Sequence, residues 1–192
     1  SIIVSWIKEH KHLFKKNVLV TDLTGIKGNI VPAIQNELRG IGEFISLHPM
    51  CGKETSGVQY SNTEMFKQAN LIIVPTETNS KESIDFARDF GENLEFNNIE
   101  ILSIKEHDKM ISFLSQLPHV IAVALMNSHE SDSLIRYTGD SFRDLTRIAK
   151  INPYLWSELF IMNKDNLIND IDEFINMMEL IKVAISNEDT ST

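Results

Sequence analysis

What this sequence lacks narrows its chemistry before any motif is read. It holds a single cysteine, Cys51, so no internal disulfide can form and a reducing, cytoplasmic setting is expected. No apolar run approaches ~18 residues, so no membrane-spanning segment is expected, and no charged-then-apolar signal peptide is expected either. Positive charge is scarce: 18 Lys and Arg against 27 Asp and Glu leave a net −9, which argues against a nucleic-acid partner and against binding to a membrane surface. Glycine is sparse as well. Gly40-Ile-Gly42 leads into a strand rather than a helix, and Gly25-Ile-Lys-Gly28 is only a GxxG, so no phosphate-cradling GxGxxG loop is present. Two ligands, His48 and Cys51, do not make a metal site, and no metal is expected.

What remains is an ordinary globular composition, 42% hydrophobic and 23% charged. In the first half, short β-branched runs alternate with helical spacing. Strands are predicted at Ile2-Ile3-Val4, Val18-Leu19-Val20, Phe44-Ile45-Ser46-Leu47, Leu71-Ile72-Ile73-Val74 and Ile99-Glu100-Ile101-Leu102. Continuous apolar runs suit a largely parallel sheet covered on both faces. Between them, Ile30, Ile34 and Leu38 predict a helix over 28–39, and Ile84, Phe86 and Phe90 one over 80–94. After about residue 103 no strand pattern recurs. Ser103-Ile-Lys-Glu106 is a capping box, a helical segment broken by Pro118 runs to about Asn127, Asn152-Pro153 starts another helix, and 165–185 carries an apolar stripe from Leu167 to Ile185. The predicted organisation is an α/β domain over 1–102, an all-helical domain over 103–187 and a frayed tail at 188–192.

Several stretches invite a chemical reading. "HPMCGKETSG" (48–57) follows a strand end, where open α/β sheets place ligands. His48 there is either a turn histidine or a site residue, and Cys51 a small filler or, beside Lys53, a reactive thiol. His119, next to Pro118, reads as a hydrogen-bonded core histidine or a pocket residue at a bent helix. Arg143 and Arg147 are four apart and could clamp a carboxylate, or lie solvated beside Asp144 and Glu158. Trp156 reads as core, and "KEHDK" (105–109) as an exposed first helical turn.

Taken in order, "TDLTGIK" (21–27), "HPMCGKETSG" (48–57), "EHD" (106–108), "LPH" (117–119) and "FRDLTRIAKINPYLW" (142–156) resemble the prephenate/arogenate dehydrogenase family of tyrosine biosynthesis. The resemblance covers nearly the whole chain. It implies a Rossmann-like domain, here incomplete, followed by an all-α dimerisation domain, and an NAD- or NADP-linked oxidative decarboxylation of prephenate to 4-hydroxyphenylpyruvate, or of arogenate. By resemblance His48 is the catalytic hydrogen-bond acceptor for the ring hydroxyl. His119, Arg147, Arg143, Glu54 and Trp156 fall at substrate-pocket positions, and Ser5, Thr24 and Gly25 near the cofactor, with Gly25 standing where the family usually has serine. The chain, opening at Ser1 inside an apolar run, reads as the C-terminal two-thirds of such an enzyme, inactive alone, with its fingerprint upstream. A second expectation from a different class is a non-catalytic homodimer binding tyrosine-like ligands in the helical domain.

Overall fold

A computed structural model describes residues 2–52, 57–129 and 133–191. The chain divides into two compact units, Ser1–Asp108 and Lys109–Thr192.

The first unit is built on a four-stranded sheet in the order β1 (Val18–Asp22), β2 (Gly42–Pro49), β3 (Asn70–Val74) and β4 (Asn98–Ile101). Helix α1 (Ile2–His10) precedes it, α2 (Val31–Leu38) links β1 to β2, and α3 (Lys81–Asn93) links β3 to β4. β1 pairs with β2 in parallel, Val18 opposite Gly42, and β3 with β4 in parallel, Asn70 opposite Asn98. The central pair departs from a parallel sheet: β2 and β3 run antiparallel, with His48 opposite Ile72. The cause lies in the connection. A parallel return needs a crossover element on one face, and the described residues between Pro49 and Asn70 form only the short 3-10 turns Val58–Tyr60 and Thr63–Met65. Buried strands carry the same apolar run in either direction, so composition could not separate the two.

Two further expectations are corrected. Ile2-Ile3-Val4 is not a strand but the first turn of α1, whose Ile7, four residues after Ile3, is buried while α1 packs on α2. Ser5, expected in a turn after a first strand, therefore sits on an exposed part of a helix. In α3 the buried face is Ser83, Ala87 and Gly91 rather than the larger Phe86 and Phe90, which stay outside. Small residues let the helix approach the sheet closely: a Cβ on Gly91 would meet Leu71 Cδ2 at 2.7 Å and Ile99 Cδ1 at 2.8 Å. The core beneath it joins Ile45, Leu47, Leu71, Ile73 and Phe96, with Cys51 packed at its margin.

Helix α4 (Ile104–Ile111) begins at the predicted capping box: Glu106 N donates to Ser103 Oγ at 3.2 Å, and Glu106 Oε2 accepts from Ser103 N at 2.9 Å. The helical run continues through a π turn, Ser112–Gln116, into α5 (Leu117–Asn127). Leu117 N reaches back to the Ser112 carbonyl, and Pro118 follows at once, as expected of a residue that cannot donate into the ladder. The run Ile104–Asn127 has an 18-residue window of mean hydropathy 1.4, so by length and composition alone it could cross a membrane. This differs from the sequence expectation because Ser112, Ser115, Gln116 and His119 interrupt the apolar run without adding a formal charge.

The second unit continues with α6 (Asp140–Thr146), the 3-10 turn Arg147–Ala149, α7 (Pro153–Met162) and α8 (Lys164–Ser186). Asn152 caps α7, its Oδ1 accepting from Tyr154 N and Leu155 N. Buried polar side chains lock these helices to the π turn. Ser112 donates to Asp170, Gln116 Nε2 donates to the Leu159 carbonyl at 2.9 Å, and Asn163 Nδ2 donates to Gln116 Oε1 at 2.9 Å. Along α8, Leu167 is buried, but Ile168, Ile175, Met178, Ile181 and Ile185 remain about half exposed or more.

Candidate active site

In the first unit the polar groups gather at the C-terminal ends of β1 and β2, the end of a parallel pair where ligands are expected. Asp22, the last residue of β1, is buried and accepts hydrogen bonds from Ser46 Oγ, from Thr24 Oγ1 and, at 3.1 Å, from Thr24 N. This folds the "DLTGIK" loop back on itself and carries Lys27 inward. The Lys27 side chain is wholly buried, its Nζ donating to the Leu47 carbonyl at 2.7 Å and lying 3.4 Å from Asp22 Oδ2. Burial is the main reason its pKa falls to about 8, against the opposing pull of Asp22 and Asp108.

His48 stands on β2, one residue beyond the carbonyl that Lys27 holds. Its Nδ1 is 2.8 Å from Nε2 of His107, and His107 Nδ1 is 2.7 Å from Asp108 Oδ1. Asp108 is held in turn by main-chain donors, Lys27 N at 3.0 Å and Gly28 N at 2.7 Å. A larger residue here would disturb the pair, because a Cβ on Gly28 would lie 2.9 Å from Asp108 Oδ2. Burial first, then the electrostatic influence of His107 and Lys27, pushes the His48 pKa down to about 3, so the ring is neutral near pH 7. Among the described residues His48 Nε2 has no partner. The arrangement provides a neutral imidazole with one nitrogen occupied by a buried relay and the other open to a donor.

"KEHDK" is thus more than an exposed turn. His107 is fully buried and Asp108 nearly so, while the flanking lysines stay outside. The sequence reading also passed over Asp22, Lys27 and Ser46 as individual site residues. The available signal was the pair of polar clusters "TDLTGIK" and "EHD", whose roles depend on a contact 80 residues apart in the chain. Thr24 is in this cluster, and Gly25 lies beside it in the same loop. Glu54 and Lys53 lie outside the described residues. Cys51 has its thiol pKa raised by burial, which does not favour a reactive thiolate.

In the second unit, His119 and Trp156 are brought together, their rings stacked with centroids 3.7 Å apart. His119 Nδ1 donates to the Ser115 carbonyl at 2.8 Å, at the π turn. The turn that opens with Arg147 packs against α5, the helix of His119, and Arg147 is exposed. Arg143 pairs with Asp140, one turn earlier on α6, rather than with Asp144 or Glu158.

Both halves of the chain match known family profiles. Residues 1–99 match "Prephenate dehydrogenase, nucleotide-binding domain", and residues 103–192 match "Prephenate dehydrogenase, dimerization domain". This chain belongs to the prephenate dehydrogenase family. Within that family it is 29% identical to the prephenate dehydrogenase of Bacillus subtilis over 90% of its own length and 47% of the relative's. It is also 29% identical to the cyclohexadienyl dehydrogenase of Zymomonas mobilis, over 91% of this chain and 61% of that one. The chain spans roughly half the length of the curated relatives it matches. Among solved structures it is similar to the A. aeolicus prephenate dehydrogenase in complex with hydroxyphenyl propionate and NAD+, with a TM-score of 0.88 and 29% identity, covering 98% of this chain and 67% of that one. The Synechocystis arogenate dehydrogenase shares the fold, with a TM-score of 0.83 at 23% identity over 98% of this chain and 69% of that one.

Proposed function

We propose that this prephenate dehydrogenase family chain supplies the proton-accepting and substrate-holding parts of a nicotinamide-linked oxidative decarboxylation of prephenate, or of its amine counterpart arogenate. The single observation that carries this reading is His48: a neutral imidazole at the ligand end of the sheet, with Nε2 open and Nδ1 engaged by His107. Its Nε2 accepts the hydrogen of the ring 4-hydroxyl. As a hydride leaves the carbon bearing that hydroxyl and the ring carboxylate departs as CO2, the oxygen takes on carbonyl character and its proton becomes strongly acidic. Even an imidazole with its pKa near 3 is basic enough to take that proton at this stage. Aromatisation supplies the driving force, so the protein has to orient and polarise rather than build a covalent intermediate.

The bound nicotinamide, NAD or NADP, supplies the hydride acceptor. The Thr24–Gly25 loop and His48 share the ligand end of the parallel β1–β2 pair, which fits the reactive ring of such a cofactor, and NAD+ in the A. aeolicus complex favours NAD. The pyrophosphate is not assigned to these residues, since no strand–GxGxxG–helix occurs among them.

Arg147 is proposed to hold a substrate carboxylate through its guanidinium fork, and the His119–Trp156 stack to line the ring pocket. Glu54 and Arg143 are proposed at the pocket margin, and Ser5, on α1, as a peripheral cofactor-side residue. The half-exposed apolar face of α8 and the match to a dimerisation domain support a homodimer. The test is prephenate-dependent formation of reduced nicotinamide with CO2 release by the full protein. Calorimetry with prephenate, tyrosine and NAD+ separates the alternative: tyrosine binding with no cofactor binding would favour a non-catalytic ligand-binding dimer. Arg147→Ala should raise KM about tenfold or more, as expected from losing a charged hydrogen bond of ~1.5–3 kcal/mol, with a smaller change in kcat.

A further inference from the structure

We propose that His107 and Asp108 are positioning residues that set the protonation pattern of His48, holding His48 Nε2 as a lone-pair acceptor towards the substrate hydroxyl. The inference rests on the reading of His48 given above and assigns a use to two buried ionisable groups behind it. Asp108 can only accept hydrogen bonds, and it already accepts from Lys27 N and Gly28 N. At 2.7 Å from Asp108 Oδ1, His107 Nδ1 must carry the hydrogen. A neutral His107 with its hydrogen on Nδ1 presents a lone pair at Nε2, and that lone pair faces His48 Nδ1 at 2.8 Å. His48 therefore donates from Nδ1, which places its own lone pair on Nε2.

The opposite tautomer would aim a donor at a hydroxyl donor and would leave two lone pairs opposed inside a buried contact, both unfavourable. When Nε2 takes the hydroxyl proton, none of the bonds behind it has to be remade. The His48 imidazolium keeps donating to His107, and the Asp108 carboxylate lies at the far end of the line. Charged groups facing this line also include Lys27, which opposes a positive His48, and Asp22, which favours it. The main chain fixes the whole arrangement: Lys27 N and Gly28 N hold Asp108, Gly28 lacks the Cβ that would crowd Asp108 Oδ2, and the Ser103–Glu106 capping box sets where α4 starts, at Ile104, four residues before Asp108. A carboxylate–imidazole pair that selects the working tautomer is an established device in unrelated enzymes, where losing the orientation costs orders of magnitude in kcat.

The experiment uses 15N-histidine-labelled protein, with the protonation of each ring nitrogen read from its 15N shift, together with kcat and KM for prephenate. The unsubstituted protein should show His48 protonated at Nδ1 and bare at Nε2. His107→Phe, which removes the acceptor, should mix the two His48 tautomers and lower kcat about 10–100-fold with little change in KM. His107→Gln, whose amide oxygen can accept from His48 Nδ1, should restore most of both. His48 protonated at Nε2 in the unsubstituted protein overturns the proposal whatever the activity, and so does a folded His107→Phe with unchanged kcat and unchanged shifts. The expected shifts in a protein that does not turn over prephenate would overturn the functional reading while supporting the dyad's hold on His48.

Discussion

At the scale of single residues, His48 is held neutral by its surroundings, and that has a consequence for stability as well as for chemistry. Its pKa is about 3 in the folded chain against 6.5 for the free side chain, so the unfolded state binds the proton more readily. The sign follows. The stabilisation is fully present above pH 6.5 and is lost as pH falls through the window between 6.5 and 3. Urea titrations across that window should show a falling midpoint, and His48→Asn should flatten the fall. Lys27 works in the same direction at the other end: with its pKa lowered from 10.5 to about 8, burying its charge is unfavourable below pH 8, and this contribution is relieved as pH rises towards 10.5. Lys27→Met, which keeps the buried length without the charge, should remove that alkaline dependence in the same titrations. His48 itself was legible as a candidate because it follows a strand end. Lys27, His107 and Asp108 were not, since a lysine and an acidic helix start read as solvated until folding brings the loop after β1 against the start of α4.

At the scale of elements, the π turn Ser112–Gln116 is where sequence and structure meet most closely. Pro118 announced an interruption in the helix, but not its form. Its polar residues make the interhelical contacts, with Gln116 bonded at once to the Leu159 carbonyl and to Asn163 Nδ2. Gln116→Leu should lower stability by about 1–3 kcal/mol for each partner left unsatisfied, seen as a lower Tm. The double substitution Gln116→Leu with Asn163→Leu should cost less than the sum of the two single changes, because the two side chains share one hydrogen bond. The capping box at Ser103 and the Asn152-Pro153 start were readable because they are local chemistry. The strand direction of β3 and the helical state of Ile2-Ile3-Val4 were not, because both are decided by partners distant in sequence. For α3, counting large apolar residues selected Phe86 and Phe90. The packed face is the small-residue line Ser83, Ala87 and Gly91, whose role is close approach rather than buried area.

At the scale of the whole molecule, two units divide the work: a sheet that presents a neutral histidine on a buried relay, and a helical unit that gathers a stacked His119–Trp156 pair and presents an apolar helix face. That face predicts association. Ile175 and Met178, 52% and 50% exposed on α8, are expected to be covered by a second copy. Ile175→Glu with Met178→Glu should convert a dimer to a monomer in sedimentation velocity. Family membership was legible from five motifs kept in register along the chain, because their spacing survives even where local structure was misread. The central claim, that His48 accepts the ring hydroxyl proton in prephenate oxidation, is tested most directly by kcat for prephenate in the full protein with and without His48→Asn. The account predicts a fall of ~10²–10⁴ in kcat with KM changed far less; a folded His48→Asn protein that turns over prephenate at the unsubstituted rate would contradict it.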